Sequence, residues 1–159
     1  MVPATTSLSE SKNIGIHPPG YRLPASAHVG SVRLAVSNLE RSVAFYTQIV
    51  GLAVLKREGH TAELGVGGEK NALLELDEIA GVEPIGRRSV LGLYHTAFVL
   101  PSREALSSFV GHLRKIGTPF GADDHTVSEA IYLTDPDGLG VEVMPTATDR
   151  NGLSKARRS

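Results

Sequence analysis

Between Ala27 and Pro145 the chain states one structural unit twice, and that repetition limits what it can fold into more than any other feature. The first copy opens with SVRLAV (31–36), where Val32, Leu34 and Val36 alternate with Ser31, Arg33 and Ala35, the period of a strand with one buried face. SNLERSVAFYTQIVG (37–51) then carries Leu39, Val43, Tyr46 and Val50 at helical spacing, with Asn38 placed to cap the start and Gly51 to stop it. AVLKRE (53–58), TAELGV (61–66) and ALLELD (72–77) read as three short strands, with Gly59 and the Gly67–Gly68 pair at the turns.

The second copy keeps the order. LYHTAFVL (93–100) is a strand and SREALSSFVGHLRKIG (102–117) a helix, capped by Ser102 and stopped by Gly117. TPFGAD (118–123), SEAIYLTD (128–135) and LGVEVMP (139–145) complete it. Phe45 and Phe109 mark the same point of the two helices, an offset of 64 residues. Each copy is β-α-β-β-β, and one alone cannot bury both its helix and its sheet. Two side by side can curl their strands into an open cup with the helices outside, so the expected class is α+β, paired βαβββ modules forming a cup-shaped sheet. The expected domain covers 21–145, with module one at 27–79, module two at 91–145 and the linker AGVEPIGRRSV (80–90) between the last strand of one and the first of the other. Residues 1–20 read as a disordered or extended tail and 146–159 as a flexible basic one.

Composition removes several function classes. A formal net charge of −1 gives no reason to expect nucleic acid or an anionic membrane as partner. The absence of cysteine excludes a disulfide scaffold, a thiolate metal site and a cysteine nucleophile. No apolar run is long enough to span a bilayer, and MVPATTSLSESKNIG lacks the apolar core of a signal peptide, so a cytoplasmic protein with a small-molecule substrate is the expectation.

Chemistry then belongs inside the cup, where facing strands converge. Strand alternation and the 64-residue offset pair His95 with Ser31. Glu142 sits in V-E-V on the closing strand of module two, and Glu75 in L-E-L on that of module one. Such a carboxylate lies either on a solvent face or at a site; two at equivalent places, beside a histidine, favour the site. His95 reads equally as a satisfied core histidine. His28 precedes Ser31 by an odd step and reads as a surface or packing residue. His17, His60 and His112 have no partner pattern. Asp135 and Asp137 in the D-P-D-G turn read as turn formers with no other role.

These residues resemble the vicinal oxygen chelate superfamily, which includes glyoxalase I, extradiol ring-cleaving dioxygenases, epimerases and bleomycin-resistance binders, over about residues 21–145. NLERSVAFYTQIVGL is similar to its first helix. YHTAFVLPSR and DHTVSEAIYLTDPDGLGVE are similar to the N-terminal half of two-domain catechol 2,3-dioxygenases, with Asp123 as the departure. The resemblance implies a glyoxalase/dihydroxybiphenyl dioxygenase-like fold, His95 and Glu142 as metal ligands, His125 as the acid–base residue and Tyr132 as a hydrogen bond to substrate. It implies Fe(II) or Mn(II) and a catecholic substrate cleaved with O₂, two histidines and a carboxylate leaving three places on the ion. A histidine titrating near neutral pH suits the proton shuttle, and a tyrosine can donate to an oxygen anion without carrying charge. The superfamily's first ligand falls at Ser31, which is not a histidine, so the chain resembles a half that keeps the cup without the metal. A Glu75–His95–Glu142 set is the alternative, suited to Ni(II) or Zn(II) and glyoxalase-like lyase or isomerase chemistry. A metal-free small-molecule-binding or resistance protein, its cleft completed in a homodimer, is the third.

Overall fold

The computed structural model describes residues 20, 23–24, 26–27, 29–84, 93–125 and 128–146, apart from the side chains of 123–125 and 128. The expected tails, His17 and His28 thus lie outside the described residues for all but Gly20 and Thr146. The chain runs β1 (Val32–Val36), α1 (Leu39–Ala44), a π-helical turn (Phe45–Ile49), β2 (Ala53–Glu58), β3 (Thr61–Gly65), β4 (Ala72–Glu78), β5 (His95–Leu100), α2 (Arg103–Ile116), β6 (Gly121–His125), β7 (Ser128–Thr134) and β8 (Gly140–Pro145). This is the α+β architecture of two βαβββ modules. Each forms a four-stranded sheet, ordered β1-β4-β3-β2 and β5-β8-β7-β6, the opening strand parallel to the closing one and the rest antiparallel.

Local chemistry explains the helix ends. The Asn38 side chain accepts from Arg41 N at 2.8 Å and the Ser102 hydroxyl from Ala105 N at 3.2 Å, each satisfying a donor the first turn leaves open. Gly117 closes α2 at φ 70°, a left-handed conformation that glycine adopts without a Cβ clash. The end of the first helix widens: Val50 N reaches Phe45 O at 3.2 Å, an i→i+5 bond, before Gly51 turns the chain. The expected helix over 37–51 is therefore a short α-helix with a π turn, a distinction apolar spacing does not encode. β6 begins at Gly121 rather than Thr118, because Thr118 N still bonds Leu113 O at 3.0 Å as part of the α2 cap.

Alternation on the strands sends Leu34, Val36, Ala62, Leu64, Leu74 and Leu76 to one face of the first sheet, and Ile131, Leu133, Val141 and Val143 to one face of the second. These residues and the helix residues Leu39, Val43, Tyr46, Leu106 and Leu113 form one continuous core, so the modules share their burial. Leu64, Leu74 and Leu113 are 0% exposed, and burial of each contributes about 1.5–3 kcal/mol. The opposite faces carry Ser31, Arg33 and Glu75 in module one, and His95, Ala97, Tyr132 and Glu142 in module two. No helix among the described residues is long and apolar enough to cross a membrane.

Candidate active site

Strand register shows how closely the two modules correspond. Arg33 pairs with Glu75 across β1–β4, and Ala97 pairs with Glu142 across β5–β8. Ser31 and His95 each lie two residues before that pair. The two glutamates therefore hold equivalent places, as do the serine and the histidine.

In module two, His95 Nε2 stands 3.1 Å from Glu142 Oε2. Tyr132, directly opposite Glu142 on β7, donates its hydroxyl to Glu142 Oε1 at 3.0 Å. Glu142 is 8% exposed, so its charge is withdrawn from water and held by two polar partners, as a buried carboxylate requires. His95 keeps 38% of its side chain open, while its Nδ1 is buried with no hydrogen-bond partner. Gly140, paired with His95, is what admits this geometry: a Cβ there would lie 2.9 Å from Tyr94 O and 3.1 Å from His95 Cβ. Three of the four residues expected at the site are thus placed; Tyr132 and His95 meet on one carboxylate. His125 is the last residue of β6, paired with Ser128, and its side chain falls outside the described residues.

In module one the Ser31 hydroxyl donates to Glu75 Oε1 at 2.5 Å. That bond occupies the carboxylate that a glyoxalase-type set would use. Among the described residues no three His, Asp or Glu side chains come together as a metal-holding group. Adjacent donors on an octahedral ion, each at about 2.1 Å, stand about 3 Å apart, so the His95–Glu142 spacing suits two neighbouring ligands. A two-histidine, one-carboxylate centre needs a third. The described donors stop at two and do not fit that centre.

The D-P-D-G turn does more than reverse the chain. Asp135 is 5% exposed; its Oδ1 accepts from Asp137 N and Leu139 N, and its Oδ2 from the Tyr46 hydroxyl of module one at 3.0 Å. Asp137, 6% exposed, accepts from Ser37 N at 3.0 Å, Ser37 Oγ at 2.5 Å and an Arg41 guanidinium nitrogen at 2.7 Å. Burial raises the Asp135 carboxyl above its ordinary value against these bonds, and burial with the neighbouring Asp135 charge pushes the Tyr46 phenol up. The turn thus clasps module two to the first helix of module one. Sequence reading missed this role because Tyr46, Arg41 and Ser37 lie 89, 96 and 100 positions away in the chain. A cavity of about 330 Å³ opens beside the clasp, lined in part by Arg33, Val82, Leu93 and Leu139, and it does not include the His95–Glu142 pair.

Residues 27–143 match the model of the Glyoxalase/Bleomycin resistance protein/Dioxygenase superfamily. The chain belongs to this superfamily. It is 44% identical over 116 residues to a catechol-2,3-dioxygenase of Bacillus subtilis (strain 168), a match covering 73% of this chain and 40% of that one. The chain thus spans about two fifths of the length of the curated relative it matches. Among solved structures it resembles a glyoxalase/dioxygenase from Nostoc punctiforme, with TM-score 0.63 and 17% identity over 84% of this chain and 98% of that one. It also resembles a lactoylglutathione lyase from Agrobacterium tumefaciens, with TM-score 0.59 and 21% identity over 77% and 96%. At such identities these two establish the fold alone.

Proposed function

We propose that this chain is an extradiol-dioxygenase-like domain whose module-two wall recognises the hydroxyls of a catecholic aromatic. The observation that carries the reading is the His95–Glu142–Tyr132 cluster, an imidazole and a phenol on the two oxygens of one buried carboxylate. A phenolic hydroxyl brought to it can donate to Glu142 Oε2 while its oxygen accepts from His95 Nε2, and the Tyr132 oxygen, already donating to Oε1, accepts from the neighbouring hydroxyl. Proximity of the two ring hydroxyls lets both contacts form at once, which a monophenol cannot do. His125 is the proton carrier in this proposal.

Identity with a catechol-2,3-dioxygenase supports the substrate class. Fe(II) or Mn(II) would supply oxygen activation in such an enzyme. The described donors do not complete a site for it, so the reading rests on the recognition cluster of this chain's own residues. The glyoxalase-like alternative is weaker, because Ser31 engages Glu75. A net charge of −1 supports a small-molecule ligand over nucleic acid or an anionic membrane, and the lack of cysteine is compatible with the cytosol.

The deciding experiment titrates the metal-free chain with 4-nitrocatechol, whose visible spectrum changes with its ionisation and surroundings. A saturable change is expected, abolished in His95→Ala and weakened in Tyr132→Phe; no change in the native chain overturns the reading. Oxygen uptake with catechol after loading with Fe(II) or Mn(II), again against His95→Ala, then separates cleavage from recognition alone.

A further inference from the structure

Tyr94 is the most exposed large side chain next to the site. It is 86% exposed, immediately precedes β5 and sets its ring against His95, centroids 5.2 Å apart at 73°. Aromatic rings bury well, and one left open beside a polar cluster loses the benefit unless something covers it. Apolar side chains are exposed on the same strand segment. Leu93 is 50% exposed and Val99 62%, and Ala97 faces the same side as His95. Gly140 underlies this segment: a Cβ there would lie 2.9 Å from Tyr94 O, so the two backbones come this close only because position 140 has none.

We infer that Tyr94 is the ring-recognition residue of this site, stacking its open face on a planar six-membered ring whose hydroxyls reach Glu142 and Tyr132. The inference rests on the catechol reading and deepens it. It assigns selection of an aromatic ring to Tyr94 and selection of adjacent hydroxyls to the buried cluster. A saturated vicinal diol satisfies the second contact and not the first, so the wall discriminates against it.

The test compares 4-nitrocatechol binding by the native chain, Tyr94→Ala and Tyr94→Phe, with His95→Ala as the reference for loss of the cluster. Because Tyr94 is exposed, both substitutions are expected to leave thermal unfolding unchanged. Tyr94→Ala should weaken binding about 3- to 10-fold and Tyr94→Phe should keep it within about 2-fold, the range of one aromatic contact. Competition by cyclohexane-1,2-diol should be weak and insensitive to Tyr94→Ala. If the native chain and Tyr94→Ala bind equally while His95→Ala does not bind, the role of Tyr94 falls and the catechol reading stands. If Tyr94→Phe is as weak as Tyr94→Ala, the phenol and not the ring is used, which also overturns it. If the native chain binds no 4-nitrocatechol, both fall together.

Discussion

The same four positions read very differently in the two modules. Across the first sheet, strand register aligns Lys56, Glu63, Glu75 and Arg33 in one row; across the second, the equivalent row is Gly121, Tyr132, Glu142 and Ala97. A glutamate on the closing strand is common to both. In module one it is flanked by long charged side chains and takes the Ser31 hydroxyl, while Arg33 turns to Asp77 at 2.7 Å and Lys56 to Glu58 at 3.2 Å. In module two glycine and alanine clear both ends of the row, and the carboxylate is left to an imidazole and a phenol. One backbone thus yields a self-satisfied charged wall and an open wall with a single buried anion. Exposed ion pairs like those of module one contribute about 0–1 kcal/mol each, whereas a buried charge depends on its few partners. The contrast is why the proposed recognition of a catecholic ring is assigned to module two.

Both walls stand on one frame, which the clasp helps to hold. Asp137→Ala is the most disruptive test of that frame. It strips acceptors from Ser37 and Arg41 at a buried position and is expected to cost about 3 kcal/mol in urea unfolding. Tyr46→Phe, which leaves Asp135 Oδ2 without that donor, should cost about 1–2 kcal/mol. A loss below about 0.5 kcal/mol for Asp137→Ala would mean that the shared core, not the clasp, holds the modules together.

The next effect sets the two equivalent residues against each other. His95→Ala removes the imidazole beside Glu142, and with it the hydrogen bond it gives the ligand in the proposed pose, and should reduce 4-nitrocatechol binding at least about 30-fold. Ser31→Ala removes only the bond to Glu75 and should leave binding within about 2-fold. Equal losses in the spectral titration would erase the distinction between the walls.

Much of this frame is legible in the chain itself. Asn38, Ser102 and Gly117 announce the helix ends because capping is local, and the alternation of Val32, Leu34 and Val36 fixes which face of β1 is buried. The equivalence of His95 with Ser31 and of Glu142 with Glu75 follows from the repeat. What the sequence conceals is cross-strand and cross-module. That Tyr132 lies opposite Glu142 depends on hairpin register, and that Asp135 and Asp137 reach Tyr46 and Arg41 depends on how the modules dock. A D-P-D-G quartet forms the same turn whether or not anything approaches it, so its second role leaves no local mark.

A milder change transfers the character of one wall to the other. Ala97→Arg puts a long cation beside Glu142 in the place Arg33 holds beside Glu75. Ala97 is exposed, so stability should change by less than about 0.5 kcal/mol. The guanidinium competes for the carboxylate and fills the cleared end of the row, and 4-nitrocatechol binding should fall about 5- to 10-fold. Unchanged binding would show that the emptiness of the row is incidental to recognition.

The smallest effect concerns the charge buried in the clasp. Burial raises Asp135 above its ordinary value of 3.8, so the folded chain holds its proton to higher pH than the unfolded chain does. Stability then falls as pH rises: the contribution of Asp135 is fullest below the unfolded value and is lost as pH climbs through the raised folded one. Asp135→Asn keeps an oxygen for Asp137 N and Leu139 N and offers no charge to desolvate. Its Nδ2 would face the Tyr46 oxygen, which can accept as well as donate. The variant is therefore expected within about 1.5 kcal/mol of the native chain at pH 7, the net worth of one hydrogen bond, with its relative stability improving from pH 4 to pH 7. Thermal melts across that range read the slope directly. A variant that loses ground as pH rises would mean that the charged carboxylate, not its desolvation, governs the clasp, and the turn would then join the modules chiefly through ionic attraction.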